Sequence, residues 1–420
     1  MRRVLETLLG FAVLTGVVVG ITTLTPAELP RVTTVEAIRS TKVVCVPAAP
    51  GATVMVDNAT TVTPLGGSAT ETKRAVLTGQ ETSVVAEGTE GPMGGAISGS
   101  GAVRTLTQCV KPVSQGVIAL PATADTQLKI VNPDASEAAI DLTLYGAEGE
   151  IQSLGARGIT LAAHQERTIA LSVLTEKATP VGVSFQASRG RAAVMAITQT
   201  QNSGTAAGPS QLGTSHLLPG IPAGATSSVV VLANPSETRI TANLTAYGTT
   251  PAYHPQGGEN ISIPPHASVS VSLENALLGE ASALQVSSDA PVMAGMAFTL
   301  GDSAQVAPVS AGTSLGTFTS PGGTLQLTNP GDGDAQATVT VTGSGATEET
   351  TTITVGSGQT VVHTLPATTE QGQRVVVGSD RPLFGAVVSS GEAGSWAAPL
   401  ESMTEGETPP LAAELDPELH

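Results

Sequence analysis

The sequence predicts an all-β chain of tandem β-sandwich repeats, and three observations lead there. A motif recurs as Leu128-Lys-Ile-Val-Asn-Pro133, Val230-Val-Leu-Ala-Asn-Pro235 and Leu325-Gln-Leu-Thr-Asn-Pro330. Thirteen residues after each Asn stands Tyr145, Tyr247 or Thr342, and a glycine follows each: Gly146, Gly248 and Gly343. Self-similarity of this kind marks a repeat architecture. Composition agrees, because 40% hydrophobic and 13% charged residues with 47 Gly and 28 Pro suit many short strands joined by turns better than a disordered chain. The third observation is alternation. Ile140, Leu142 and Leu144 alternate with Asp141, Thr143 and Tyr145; Ala242, Leu244 and Ala246 with Thr241, Asn243, Thr245 and Tyr247; Ala337, Val339 and Val341 with Thr338, Thr340 and Thr342. Period two with one apolar and one Thr-rich face is a half-buried antiparallel strand, and a phase kept in every copy specifies a shared register.

Within the motif, proline has no N–H for a ladder and pushes the preceding Asn toward extended backbone, while Asn side chains bond nearby backbone in turns. The motif therefore reads as strand, stop, second strand. Asn132, Pro133, Tyr145, Gly146, Asn234, Pro235, Tyr247, Gly248, Asn329, Pro330 and Gly343 are assigned structural roles on this basis.

In chain order, Arg2 and Arg3 precede residues 7–24, which carry no charge. That length lies near the lower limit for crossing a bilayer. The positive-inside rule places residues 1–6 in the cytoplasm and everything after the segment outside. An uncleaved transmembrane helix is favoured over a cleaved signal, because Thr25-Pro-Ala27 is a poor small-x-small site; secretion after cleavage is the alternative. Residues 25–42 are a polar linker. Residues 43–112 form a shortened first repeat, where Val54-Met-Val-Asp-Asn58 matches the motif with Ala59 in place of proline. Cys45 and Cys109, the two cysteines of the chain, lie at its ends. In an exported protein such a pair reads as a disulfide, one that stabilises by about 4 kcal/mol on the chain-entropy model.

Full repeats are expected at 113–213, 214–311 and 312–400. Each is read as ending in a hairpin with a Ser-Asp-x-Pro turn, as in Val286-Ser-Ser-Asp-Ala-Pro-Val and Val377-Gly-Ser-Asp-Arg-Pro-Leu. The small residues that follow suggest close packing against a neighbouring sheet. Two further strands flank the turns at Ala162–Gln165, Pro264–Ala267 and Gly356–Gly358. Six or seven strands in about 95 residues read as an immunoglobulin-like sandwich, with a propeller-like closed ring as the alternative. Connectors such as Gln211-Leu-Gly-Thr-Ser215 look too short to fold back, so the repeats are expected along an extended axis of ~160 Å. That shape would leave sheet faces as binding surfaces, around Thr143, Thr245 and Thr340. Residues 401–420 hold six carboxylates without Lys or Arg and are expected to be disordered.

Few residues invite a chemical role. Gly301-Asp-Ser-Ala304 resembles a serine-nucleophile loop but reads better as a turn. Asn329-Pro-Gly-Asp-Gly-Asp334 offers oxygen ligands yet lacks the glutamate and spacing of a calcium loop. His164 and His266 occupy the same turn of successive repeats and would sit a domain apart. Gly99-Ser-Gly101 and Gly343-Ser-Gly345 are hairpin glycines, and Trp396 is expected to seal the last core. No catalytic, cofactor-binding or metal residue is assigned, and no cofactor is expected. A net charge of −17 offers no basic stripe, and 2% aromatics leave few stacking platforms, so no nucleic-acid partner is expected.

Arg2-Arg3 with the apolar segment, Cys45-Val-Pro, the Asn-Pro…Tyr-Gly repeats and Ser-Asp-x-Pro together resemble a family of membrane-anchored, extracytoplasmic actinobacterial proteins of unassigned function. The resemblance implies cell-envelope assembly, near envelope glycosyltransferases, and transfers no functional residue. Thr342 departs from the pattern, which puts in question any contact there that needs Tyr. The expected function is a non-catalytic, membrane-anchored scaffold or accessory protein acting through protein or polysaccharide contacts. Alternatives are an envelope hydrolase or transferase with an interdomain site, and an adhesin.

Overall fold

The computed structural model describes residues 41–403, apart from residues 90, 101–102, 122–123, 176–179, 200–203, 344–347, 367–371 and 392–393. The expected anchor at 7–24, most of the linker and the tail beyond 403 lie outside the described residues. Among those described, no helix is long and apolar enough to cross a membrane. The chain is nearly all strand, with a single four-residue helix, Leu171–Leu174, among the described residues.

The third repeat shows how the pattern becomes a sandwich. Gly213–Ile221, Ile240–Tyr247 and Ile261–Ile263 lie in one sheet, and Ser227–Ala233, Ser268–Ser272 and Asp302–Val306 in the other. Strand Ser282–Leu300 belongs to both: Ala283–Ser288 pair with Ala242–Tyr247, whereas Met293–Thr299 pair with Ser227–Ala233. Gln373–Gly391 does the same in the fourth repeat. The Ser-Asp-x-Pro segment is therefore a corner between sheets and not the expected hairpin turn. Such corners join sheets where a strand bends, and Pro291 and Pro382 supply the bend because they add no N–H to either ladder. Asp289 and Asp380 accept the backbone N–H of Thr241 and Gln336, at 2.9 and 2.8 Å, and so hold the corner to the start of the neighbouring strand. The true hairpin follows at Gly301, within the Gly301-Asp-Ser-Ala304 loop.

The alternating apolar residues point inward as their period requires. Ile240, Ala242, Leu244 and Ala246 are all buried against Val230, Leu232, Val286, Met296 and Phe298. The motif asparagines explain why the phase is kept. Asn234 is fully buried; its Oδ1 accepts the N–H of Ser236 at 2.8 Å, and its Nδ2 donates to the carbonyls of Thr238, Ile263 and Pro264 at 2.7–3.2 Å. It thus ties the turn of one sheet to a strand end of the other, satisfying carbonyls that burial would otherwise strand. Asn132 and Asn329 make the corresponding bonds. In the first repeat Asn58 sits instead in the left-handed region, at φ 57°.

The repeats do not run along an extended axis. Residues 40 onward form one compact unit, and the first repeat packs on the last. Met55, Ile97 and Leu106 of the first repeat enter the core of the fourth beside Leu315 and Phe318. Gln108 Nε2 donates to the Phe318 carbonyl at 2.7 Å, and Arg374 reaches Asp57 at 2.7 Å. Second meets third through Val117, Ala119 and Tyr145 against Val231, Ala233 and Met293; third meets fourth through Leu217 and Tyr247 against Phe384. First meets second through Val44, Val46 and Val110 against Val131, Met195 and Ile197. The outer face of each sandwich thus rests on its predecessor, and the face of the first rests on the fourth. Head-to-tail contacts of this kind make a ring when their rotation closes. The expected sandwiches are present, but closed on one another rather than strung out. Small residues allow the approach: a methyl group at Gly295 would collide with the Ala119 carbonyl oxygen of the preceding repeat.

Cys45 and Cys109 are bonded inside the first core. Trp396 is buried in the fourth core, as expected. The segment expected to be disordered from 401 begins instead with strand Glu401–Ser402, which pairs with Leu315 and Gly316.

Candidate functional site

The last strand of each repeat comes to the centre of the ring. Val103–Gln108 and Gly204–Ala207 pair in parallel at Thr105 and Gly204, and Asp302–Val306 and Gly394–Pro399 complete the circle. Where the connectors leave these strands they border an open cavity of about 430 Å³. Leu106, Met195, Ala206 and Ala397 line its apolar part, and Lys111, Ser210, Gln211, His216, Ser310 and Glu401 supply polar groups. Nothing in the motif residues pointed here. A signal was present in the connectors, where Pro112-Val-Ser-Gln-Gly116, Pro209-Ser-Gln-Leu-Gly213 and Pro308-Val-Ser-Ala-Gly312 form a second repeated phrase, echoed by Pro399-Leu-Glu-Ser402.

The polar wall is partly committed. His216 is buried, and its Nε2 lies 3.0 Å from the Gly213 carbonyl and 2.9 Å from that of Val292. Carbonyls only accept, so the ring is the Nε2–H tautomer. Burial holds its pKa below the ordinary 6.5, against the pull of the two carbonyls. A depressed folded pKa gives stability that is full above the unfolded value and is lost as pH falls toward the folded one. The urea midpoint should therefore decline as pH falls through the unfolded value of about 6.5 toward the lower folded one, and His216→Gln should flatten the decline. Equal slopes in the parent and variant would refute this role. Glu401 opens onto the cavity; desolvation raises its carboxyl pKa, with Lys111 pulling the other way.

The residues chosen from sequence are distributed around this axis rather than gathered at it. Tyr145 and Tyr247 sit at the seams between repeats. Their carbonyls accept from Ser268 and Thr360 of the following repeat, Tyr145 stacks on His266 with centroids 6.3 Å apart, and Tyr247 meets Phe384 edge-on at 6.2 Å. Gly182 and Ala283 stand opposite these tyrosines, leaving room for them. In the last copy Thr342 stands opposite Arg374, and the seam to the first repeat is an ion pair with Asp57 instead. The exchange of Tyr for Thr thus comes with a different closing chemistry. Thr143, Thr245 and Thr340 are half-buried on outer faces.

His164 and His266 occupy equivalent turns, with φ 55° and 53°, and Gly358 takes the same place with φ 65°. They are residues of a left-handed turn position, which glycine fills most readily. Asn329 and Asp334 spend oxygens on the N–H groups of Gly331 and Ser357, so this loop does not converge on a cation. Among the described residues no group of three or more His, Cys, Asp or Glu could hold a metal ion. Asp302 accepts the N–H of Ser303 at 2.7 Å, a local turn bond.

Residues 51–366 match the profile of DUF5719, a family of unknown function. The chain belongs to that family. The family match covers most of the first repeat, the whole second and third, and much of the fourth, so it takes in most of the ring. No curated protein matches the chain. Among solved structures, a tetra-tandem repeat in the extending region of a large adhesion protein aligns over 87% of this chain and 100% of its own, at 13% identity. Its TM-score of 0.09 carries no structural relation.

Proposed function

We propose that this member of the family is a non-catalytic scaffold of the cell envelope. Residues 7–24 hold it in the membrane, and its immunoglobulin-like repeats stand outside the cytoplasm. The observation that carries the reading is the closed ring. Four sandwiches joined first to last form a rigid body whose outer sheets and connector loops face different directions, which suits holding several partners in fixed relation. The disulfide fits an oxidising compartment, where such bonds persist. Protein or polysaccharide of the envelope is the partner class, and the acidic surface disfavours nucleic acid.

The test is crosslinking of the native envelope with photoreactive groups placed at Thr143, Thr245 and Thr340, followed by identification of what is captured. Recurrent capture of the same membrane or wall components is expected. In the same preparations the protein should resist carbonate extraction and retain its N-terminus. Recovery from culture fluid with a new N-terminus after Ala27 would overturn the anchored reading, and absence of any reproducible crosslink would overturn the scaffold.

A further inference from the structure

The wall of the axial cavity carries two charges that hold nothing together. Lys111 comes from the connector after the first repeat, and Glu401 from the short strand that ends the fourth. Both are exposed to the cavity and close enough to attract one another electrostatically. Among the described residues the side chain of neither makes a hydrogen bond or an ion pair. His216, the other titratable group of the wall, is committed to two backbone carbonyls. The apolar part of the lining, with Leu106 and Met195, offers no partner to either charge.

Two opposite charges on one cavity wall, neither side chain committed to a protein hydrogen bond, present an acceptor and a donor to whatever enters. A simple cation would meet Lys111, and a simple anion would meet Glu401. A dipolar molecule satisfies both, and an apolar side chain on it would cover the hydrophobic lining. The volume of about 430 Å³ lies within the range of ~300–1,000 Å³ usual for small-molecule sites. We propose that the axial cavity binds a small zwitterion with an apolar side chain, a free amino acid or dipeptide, with its ammonium at Glu401 and its carboxylate at Lys111. This goes beyond the scaffold reading and does not depend on it.

The test is calorimetric titration of the full chain in detergent with L-alanyl-L-leucine. Saturable binding is expected. The doubly capped peptide, N-acetylated and C-amidated, should bind at least about 10-fold more weakly, because it lacks both charges. Lys111→Ala and Glu401→Gln should each weaken binding by about 10- to 100-fold, the loss expected for one charge-assisted contact. Affinity should fall on acidification as Glu401 takes up a proton, and burial starts that fall at higher pH than for an ordinary carboxylate. No saturable heat, equal binding of the capped peptide, or unchanged affinity in both variants would overturn the proposal. The capped comparison uses the unaltered protein, so it stands even if a variant folds poorly.

Discussion

Asp57→Ala should destabilise the protein by about 3 kcal/mol and loosen the seam between the first and fourth repeats. Asp57 is buried and shared by two guanidinium groups, Arg374 at 2.7 Å and Arg74 at 3.1 Å. Removing the carboxylate leaves Arg374 in a largely closed site, with its side chain 19% exposed and its Nε already without a partner. Breaking a buried pair by deleting one member costs about 3–5 kcal/mol, and the lower end applies because Arg74 is partly open to water. Gln108, bonded to the Phe318 backbone, also stitches this seam. Urea unfolding would give the loss of stability. Hydrogen exchange would locate it, with faster exchange at Phe318 and Gly95 and little change at Val231 in the seam between the second and third repeats. Unchanged exchange on both sides of the Asp57 seam would mean that apolar packing alone closes the ring.

Replacing both Cys45 and Cys109 with serine should cost about 4 kcal/mol. The bond closes a loop over a sequence separation of 64 residues, and chain entropy of the unfolded state sets that scale. The first repeat depends on it most. Its core is built mainly of Val and Ala around the cystine, whereas the third repeat packs Leu, Ile, Met and Phe. A small core buries too little surface to stand without a staple. Because that repeat also carries the contacts to the fourth, its loss should open the ring, and small-angle scattering should show a larger radius of gyration for the variant. In the unaltered protein, alkylation without reductant should label neither cysteine. Stoichiometric labelling of both, or a variant with the parent's stability and size, would refute the account.

Much of the local structure was legible before any coordinates. Period-two alternation fixed which side chains of Ile240–Tyr247 and Ala335–Gly343 face inward, because a strand has no other way to bury one face. The Asn-Pro phrase marked the strand stops, and the bonds of Asn132, Asn234 and Asn329 show why: a buried amide ties a turn of one sheet to the other. The cysteine pair was decided by supply alone, since no other cysteine exists in the chain. Local pattern misread two connections. Ser-Asp-x-Pro reads locally as a hairpin because a turn and a corner use the same residues; only pairing separates them, and pairing is a relation to strands far away in sequence. The short connectors read as forbidding a fold back, yet neighbours packed head to tail can still close on themselves, which brings Asp57 to Arg374 across 317 positions. The axial cavity was the least visible. Its walls come from four connectors, and the charges of Lys111 and Glu401 face one space only after the ring has closed. Sequence thus determined strands, their buried faces and the covalent staple, all set within tens of residues; closure, seams and cavity depend on how whole sandwiches rest on one another, which small residues such as Gly295 and Ala119 permit without announcing.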